Sequence, residues 1–328
     1  IGEIAGEVRP IRAEQRRARH RMDAVGADQP VCLEAVANAQ RHAHAVGARV
    51  IVEKRNQPFS ELAVMEFGNK PSDGGHLLLT RDELESLGLS VAQRKRFIRQ
   101  IYGSQEFING GLRFCLWIED EHLAEAKEIP ALNERIDAVR ALRLASPDKG
   151  ARTILAKRPH QLKLMRIGQA WTIVSPRTSS ESRPFLPVGL MDRRVALTSE
   201  AFGIYDAPLW NMALIASRLH LVWIATVCGK LKTDFRYSNT LGWNTFPVPQ
   251  LTDQNKANLT ACAEAILLAR EGARVALIDA MPEWAEQTRR MIEAEGGQGM
   301  VVPCDVTDPA ACEAAVAATV KTWGRLDI

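Results

Sequence analysis

Apolar positions follow two rhythms along this chain. Ile129, Leu132, Ile136, Val139 and Leu142 recur three and four apart, the stripe of a helix running to Arg143, with Arg135, Arg140 and Arg143 on its polar side. Elsewhere the apolar runs are short and β-branched, as strands require. Ala48 to Glu53 is one such run, and Leu77-Leu78-Leu79 a second. A third, Ala170 to Val174, leads into Pro176-Arg177-Thr178-Ser179-Ser180-Glu181-Ser182-Arg183-Pro184. That stretch is excluded from a helix or strand interior by its prolines and small polar residues. A strand therefore projects a polar loop.

Turn and cap signals fill in the order. Asn69 to Gly75 is a tight turn cluster. Thr80 and Glu83 make a capping box for a helix to Leu87. Ile101 to Trp117 reads as a hairpin arm, with Asn109-Gly110-Gly111 as its turn and Leu112 to Trp117 as a strand. Ala151 to Ala156 is a second helical stretch, broken at Arg158-Pro159-His160. Leu186 to Leu190 and Val195 to Leu197 read as short strands. Leu209 to Cys228 is long and apolar, but Asn211, Arg218 and His220 make it one buried helix rather than a membrane span. Thr252-Asp253 caps a helix running to Arg270. From there the pattern is strand (Ala273–Asp279), helix (Glu283–Glu295), strand (Met300–Cys304), helix (Pro309–Trp323). Residues 1–46, rich in Arg, Ala and His, have helical period at 14–21 and 33–46 and carry no assignable role.

Charge changes the picture locally. The 328 residues carry a net +3, but Arg135 to Arg183 holds eleven Lys or Arg against three acids, a local +8. Such a segment suits a polyanion-facing surface, although a solvated helix face is the blander account. The six cysteines make no CxxC pair and none lies near His at zinc spacing, which fits free thiols in a cytoplasm. The start at Ile1 and the end at Leu326-Asp327-Ile328 read as a fragment at both ends.

Candidate chemistry gathers in three places. In the basic segment Arg152, Lys157, Arg158, Lys163 and Arg166 suit phosphate contacts. In the polar loop Arg177, Ser179, Ser180 and Arg183 are of the types that bind phosphate oxygens or base edges. After the apolar helix, Lys230, Lys232, Arg236 and Tyr237 give the mix of cations and aromatics used against nucleic acid. A helix C-terminus decorated for its dipole explains the two lysines but not Arg236 or Tyr237.

The ordered landmarks VEKRNQPFSEL, FGNKPSDGGHLLL, GSQEFINGGLRFCLW, RLASPDKGAR, PRTSSESRPFLPVG, SRLHLVWIATVCGKLKTDFRYS and NTFPVP closely resemble the target recognition domain and following helical region of MmeI-like enzymes. These are single-chain type II restriction–modification proteins. The resemblance covers roughly Arg49 to Arg270 and implies double-stranded DNA, read through the major groove, as partner. It also implies that a nuclease domain and an N6-adenine methyltransferase domain precede this region, so S-adenosylmethionine and magnesium belong to those domains. The sequence holds no Asn-Pro-Pro motif, no glycine-rich cofactor motif and no evident PD-(D/E)xK cluster. The expectation is a chain that binds DNA and neither methylates nor cuts it, with no cofactor, metal or membrane of its own.

From about Glu264 a second resemblance begins, to the early part of a short-chain dehydrogenase. It matches Asp279 and Asp305 to positions beside the NAD ribose and adenine. The phosphate-binding glycines would fall at Asn258 to Cys262, where none occurs, so useful NAD binding is not expected. The alternative reading is an oxidoreductase fragment of this type, and the junction reads as a chimera. The expected fold is an α+β recognition domain (48–200) with a helical C-terminal part (201–270), followed by a truncated α/β, Rossmann-like βαβα unit (271–328).

Overall fold

The computed structural model describes residues 51–294 and 296–327; the readings made for residues 1–46 and for 48–50 lie outside them. The chain divides into two compact units. Among the described residues, the first gathers those up to Glu181 with Leu190–Ala207 and Val222–Pro247; the second gathers Ser182–Gly189, Pro208–Leu221 and those from Val248 onward.

The first unit is built on two four-stranded sheets. In one, β1 (Glu66–Phe67), β9 (Ala201–Tyr205), β5 (Trp171–Pro176) and β7 (Gly189–Asp192) lie in the order β1-β9-β5-β7. β5 and β9 are antiparallel, from Thr172 opposite Tyr205 to Pro176 opposite Ala201. In the other, the order is β2 (Leu78–Leu79), β4 (Phe114–Leu116), β3 (Ile98–Tyr102) and β8 (Val195–Leu197), with β3 and β8 parallel. A core of Leu77, Leu79, Phe97, Ile101, Leu116 and Ile118 packs with Leu132, Ile136 and Val139 of helix α5 (Pro130–Leu144). Before it come α1 (Arg81–Ser86), α2 (Val91–Phe97), α3 (Ser104–Asn109) and α4 (Leu123–Lys127). Thr80 caps α1 with both bonds of the capping box formed to Glu83.

Several expectations fail for local reasons. Residues 51–53 are not a strand: Ile51 is 77 % exposed, and the segment is tethered further on, where Arg55 and Phe59 amides donate to the Thr240 and Asn244 carbonyls. β3 and β4 do pair antiparallel, but α3 intervenes, and Gly110, at φ 74°, ends that helix in the left-handed region instead of turning a hairpin. Leu186 to Val188 are buried without being strand; β7 starts at Gly189. Pro184 and Pro187 there have no N–H to give a ladder. Strand β9, which lacks an obvious sequence signal, holds Gly203 where a Cβ would meet Leu197, Thr172 and Tyr205 side chains at 3.0 Å.

The stripe on α5 is rotated from the one expected. Leu142 is 42 % exposed, while Arg143 is 1 % exposed and lies on the buried side. Its guanidinium donates to five carbonyls: Ser72 (3.0 Å), Leu155 (3.0 Å), Arg158 (2.8 Å), Pro71 (3.4 Å) and Gln161 (2.8 Å). Burial lowers its pKa from the usual value, and Asp73 works against that. Arg143 thus fastens the 71–73 turn to the segment after α6 (Lys149–Thr153).

The apolar run at 209–228 is two helices, α7 (Trp210–Ala216) and α8 (Arg218–Val227). Ser217 breaks it with an extended backbone; its hydroxyl donates to Leu214 O and accepts from His220 N. Among the described residues no single helix is long and apolar enough to cross a membrane.

In the second unit α7 packs on α9 (Asp253–Arg270), which starts at a Thr252/Asn255 capping box. α9 buries Ala263, Ala265, Ile266 and Ala269. Next come β12 (Arg274–Asp279), α10 (Pro282–Ala294), β13 (Gln298–Pro303) and α11 (Pro309–Trp323). β12 and β13 are parallel, in register from Arg274 opposite Gln298 to Asp279 opposite Pro303. The strand–helix–strand–helix pattern read from the sequence is therefore the one folded.

Candidate nucleic-acid interface

Residues 229–236 form a hairpin. β10 (Lys230–Leu231) and β11 (Asp234–Arg236) are antiparallel, joined by the two residues Lys232 and Thr233. Lys232 takes φ 58°, a position where glycine is relaxed and a lysine is strained. The far side of β11 pairs with β6 (Thr178–Ser179), placing Arg236 opposite Thr178 and Phe235 opposite Ser179. The polar loop expected after β5 therefore contains a strand, because β11, far downstream in the sequence, supplies it with a ladder partner.

Alternation sorts the hairpin into two faces. Phe235 and Ser179 are buried; the latter is 3 % exposed. Lys230 shares their face, with Nζ 5.7 Å from the Phe235 ring and 3.0 Å from Glu181 Oε2. The opposite face holds Leu231, Asp234, Arg236 and Thr178. Arg236 and Lys232 are exposed, and neither side chain has a hydrogen-bond or ion-pair partner among the described residues. Lys157, in a short 3-10 turn after α6, is exposed in the same way.

The other expected contacts are engaged within the protein. Tyr237 is 2 % exposed, its ring edge-on to Phe202 at 5.5 Å, and burial pushes its phenol well above the usual range. Ser179 and Tyr237 are thus core residues, and the expectation that they face a ligand is corrected by their burial. Arg177 lies 5.1 Å over the Phe67 ring, donates to Ser199 O at 3.0 Å and approaches Glu200 at 3.6 Å. It braces the strand end against the turn before β9. Arg166 donates to Phe67 O and pairs with Glu66 at 2.9 Å. Arg158 donates to Lys163 O at 2.9 Å and Arg152 to Ser146 O at 2.6 Å, Arg152 remaining exposed. Lys163 and Ser180 are half-buried. Arg183 is half-buried and belongs to the second compact unit. Asp234 carries no cationic signal in the sequence, but the period of two across 230–236 puts it beside Arg236.

In the second unit, Asp279 Oδ1 accepts from Met281 N at 2.8 Å. Asp305 Oδ1 accepts from Thr307 N and Oγ1 at 2.9 and 2.7 Å, which holds its carboxyl below the usual range. Both carboxylates shape the turn that follows their strand. Residues 258–262 lie inside α9, with backbone amides in the helix ladder. Glu119, Glu121 and His122 bring ligand atoms within 4.8 Å of one another, on an exposed turn.

Comparison with known proteins gives two families. Residues 46–250 match the model for the target recognition domain of MmeI, and residues 260–328 match a model described as enoyl-(acyl carrier protein) reductase. DNA methyltransferase A of Bacillus subtilis (strain 168) is 37 % identical over 225 residues, covering 69 % of this chain and 26 % of the relative. The uncharacterized oxidoreductase YhdF of the same organism is 43 % identical over 68 residues, 20 % of this chain and 23 % of its own length. The solved structure of the type IIL restriction–modification enzyme MmeI in complex with DNA matches with a TM-score of 0.64 and 34 % identity. It covers 68 % of this chain and 30 % of that one.

Proposed function

The chain belongs, over residues 46–250, to the MmeI target recognition domain family, and on that footing we propose that it reads a short sequence in double-stranded DNA for a restriction–modification system. The observation that carries this is the outer face of the β10–β11 hairpin. Arg236 stands there beside Thr178 and Asp234, exposed and without an internal partner, with Lys232 held at a strained turn. A two-stranded ribbon fits the major groove. An arginine fork matches the two acceptors of guanine, and a carboxylate accepts from the cytosine amino group. Backbone strain in a protein is kept where something else requires it.

Lys157, Arg152, Lys230 and Lys232 are proposed as phosphate contacts that set register. Arg177 and Arg166 position the strands behind them. Each phosphate neutralised adds about 0.9 to the slope of log affinity against log salt. Duplex binding followed by fluorescence anisotropy is therefore expected to weaken about 10²-fold or more between about 50 and 200 mM salt. A salt-independent signal would remove the electrostatic part of the proposal.

Methyl transfer and cleavage are assigned to partner domains of the parent enzyme, with S-adenosylmethionine and magnesium there, and action on DNA puts the protein in the cytoplasm. The βαβα unit is read as a Rossmann-like fold, joined through α9 to the recognition module as a chimera. Where a phosphate-binding loop would have to stand, α9 is continuous helix. Titration with NAD is expected to give no saturable fluorescence change; a micromolar isotherm would overturn that part.

A further inference from the structure

Cys304 follows β13 directly, and Cys312 lies in the first turn of α11. Both pack in one small core with Val302 and Ala315. The Cys312 thiol is a hydrogen-bond neighbour of the Cys304 thiol, and it also donates to Val306 O at 3.5 Å. The backbone holds each in place: Cys304 N donates to Asp279 O and Cys312 N to Asp308 O, both at 3.0 Å. Cys304 is buried and Cys312 half-buried.

We propose that Cys304 and Cys312 form a dithiol that closes to an intramolecular disulfide on meeting a small-molecule disulfide such as oxidised glutathione. Cys312 is the more accessible partner, so it meets the small disulfide first. It attacks one sulfur of the small disulfide; that S–S bond breaks, a mixed disulfide forms and one small thiol leaves. Burial, with Cys312, Asp305 and Asp308 nearby, disfavours the Cys304 thiolate, so Cys304 acts second. It attacks the Cys312 sulfur and releases the second small thiol. Two cysteine thiols lose two electrons, the small disulfide gains them, and the two cysteine protons pass to the leaving thiolates. The product clamps the end of β13 to the first turn of α11. Nothing in this step depends on DNA binding.

The full chain, reduced and desalted, is incubated with oxidised glutathione, quenched in acid, alkylated and digested with trypsin. No Lys or Arg lies between Arg290 and Lys321, so one peptide carries both cysteines. The expected peptide is lighter than its reduced form by two hydrogens and carries neither alkyl group nor glutathione. Cys304→Ser is expected to accumulate glutathione on Cys312, because the displacing thiol is gone. Cys312→Ser is expected to leave Cys304 unmodified until the chain is denatured. A wild-type peptide with both thiols alkylated, or with glutathione persisting on Cys312, overturns the proposal.

Discussion

Arg143→Ala is expected to lower the stability of the first unit by about 3–5 kcal/mol, the range for stripping a buried charged hub of its bonds. Removal of the guanidinium leaves the carbonyls of Pro71, Ser72, Leu155, Arg158 and Gln161 without their donor. It also opens a cavity beneath α5. For a unit of this size the melting midpoint is expected to fall by roughly 10 °C. Arg143→Lys is expected to recover part of this, since an ammonium keeps the charge but lacks the fork that reaches several carbonyls at once. Calorimetry on the full chain distinguishes the cases. A midpoint for Arg143→Ala within about 1 °C of wild type would mean that the network contributes little.

Arg236→Ala is expected to weaken binding to the preferred duplex by about 1–3 kcal/mol, roughly 10- to 100-fold, and to change affinity for scrambled duplexes far less. Arg236 is exposed on the outer face of β11, so its loss removes no packing that the fold depends on. Arg236→Lys keeps the charge and loses bidentate geometry, so non-specific affinity is expected to survive while discrimination falls. A uniform loss across all sequences, with the salt slope smaller by about 1, would instead make Arg236 a phosphate contact.

How much of this could be read from the residues depended on the range of the interactions. Local signals were legible: the Thr80/Glu83 and Thr252 caps rest on side chains three residues from their partners. The βαβα order was legible too, because each element there has its own period. Non-local pairing was not. Thr178-Ser179 reads as loop until β11 arrives to pair with it. Tyr237 reads as a base-stacking aromatic until Phe202 covers it. Arg143 reads as surface charge because its acceptors are backbone carbonyls, which no side-chain pattern reveals. Ser217 breaks an apolar run with one hydroxyl serving both helix ends. Across 230–237 the residue types were legible, and only the ladder register separates Arg236 and Asp234 from their buried neighbours.

The central claim, that this chain reads DNA sequence through the β10–β11 face, is tested most directly by selection from randomised duplexes with the full chain at fixed salt. The predicted result is enrichment of one short asymmetric motif, altered at a defined base pair by Arg236→Ala. Recovery of duplexes with no common motif, by a chain that still binds DNA, would contradict it.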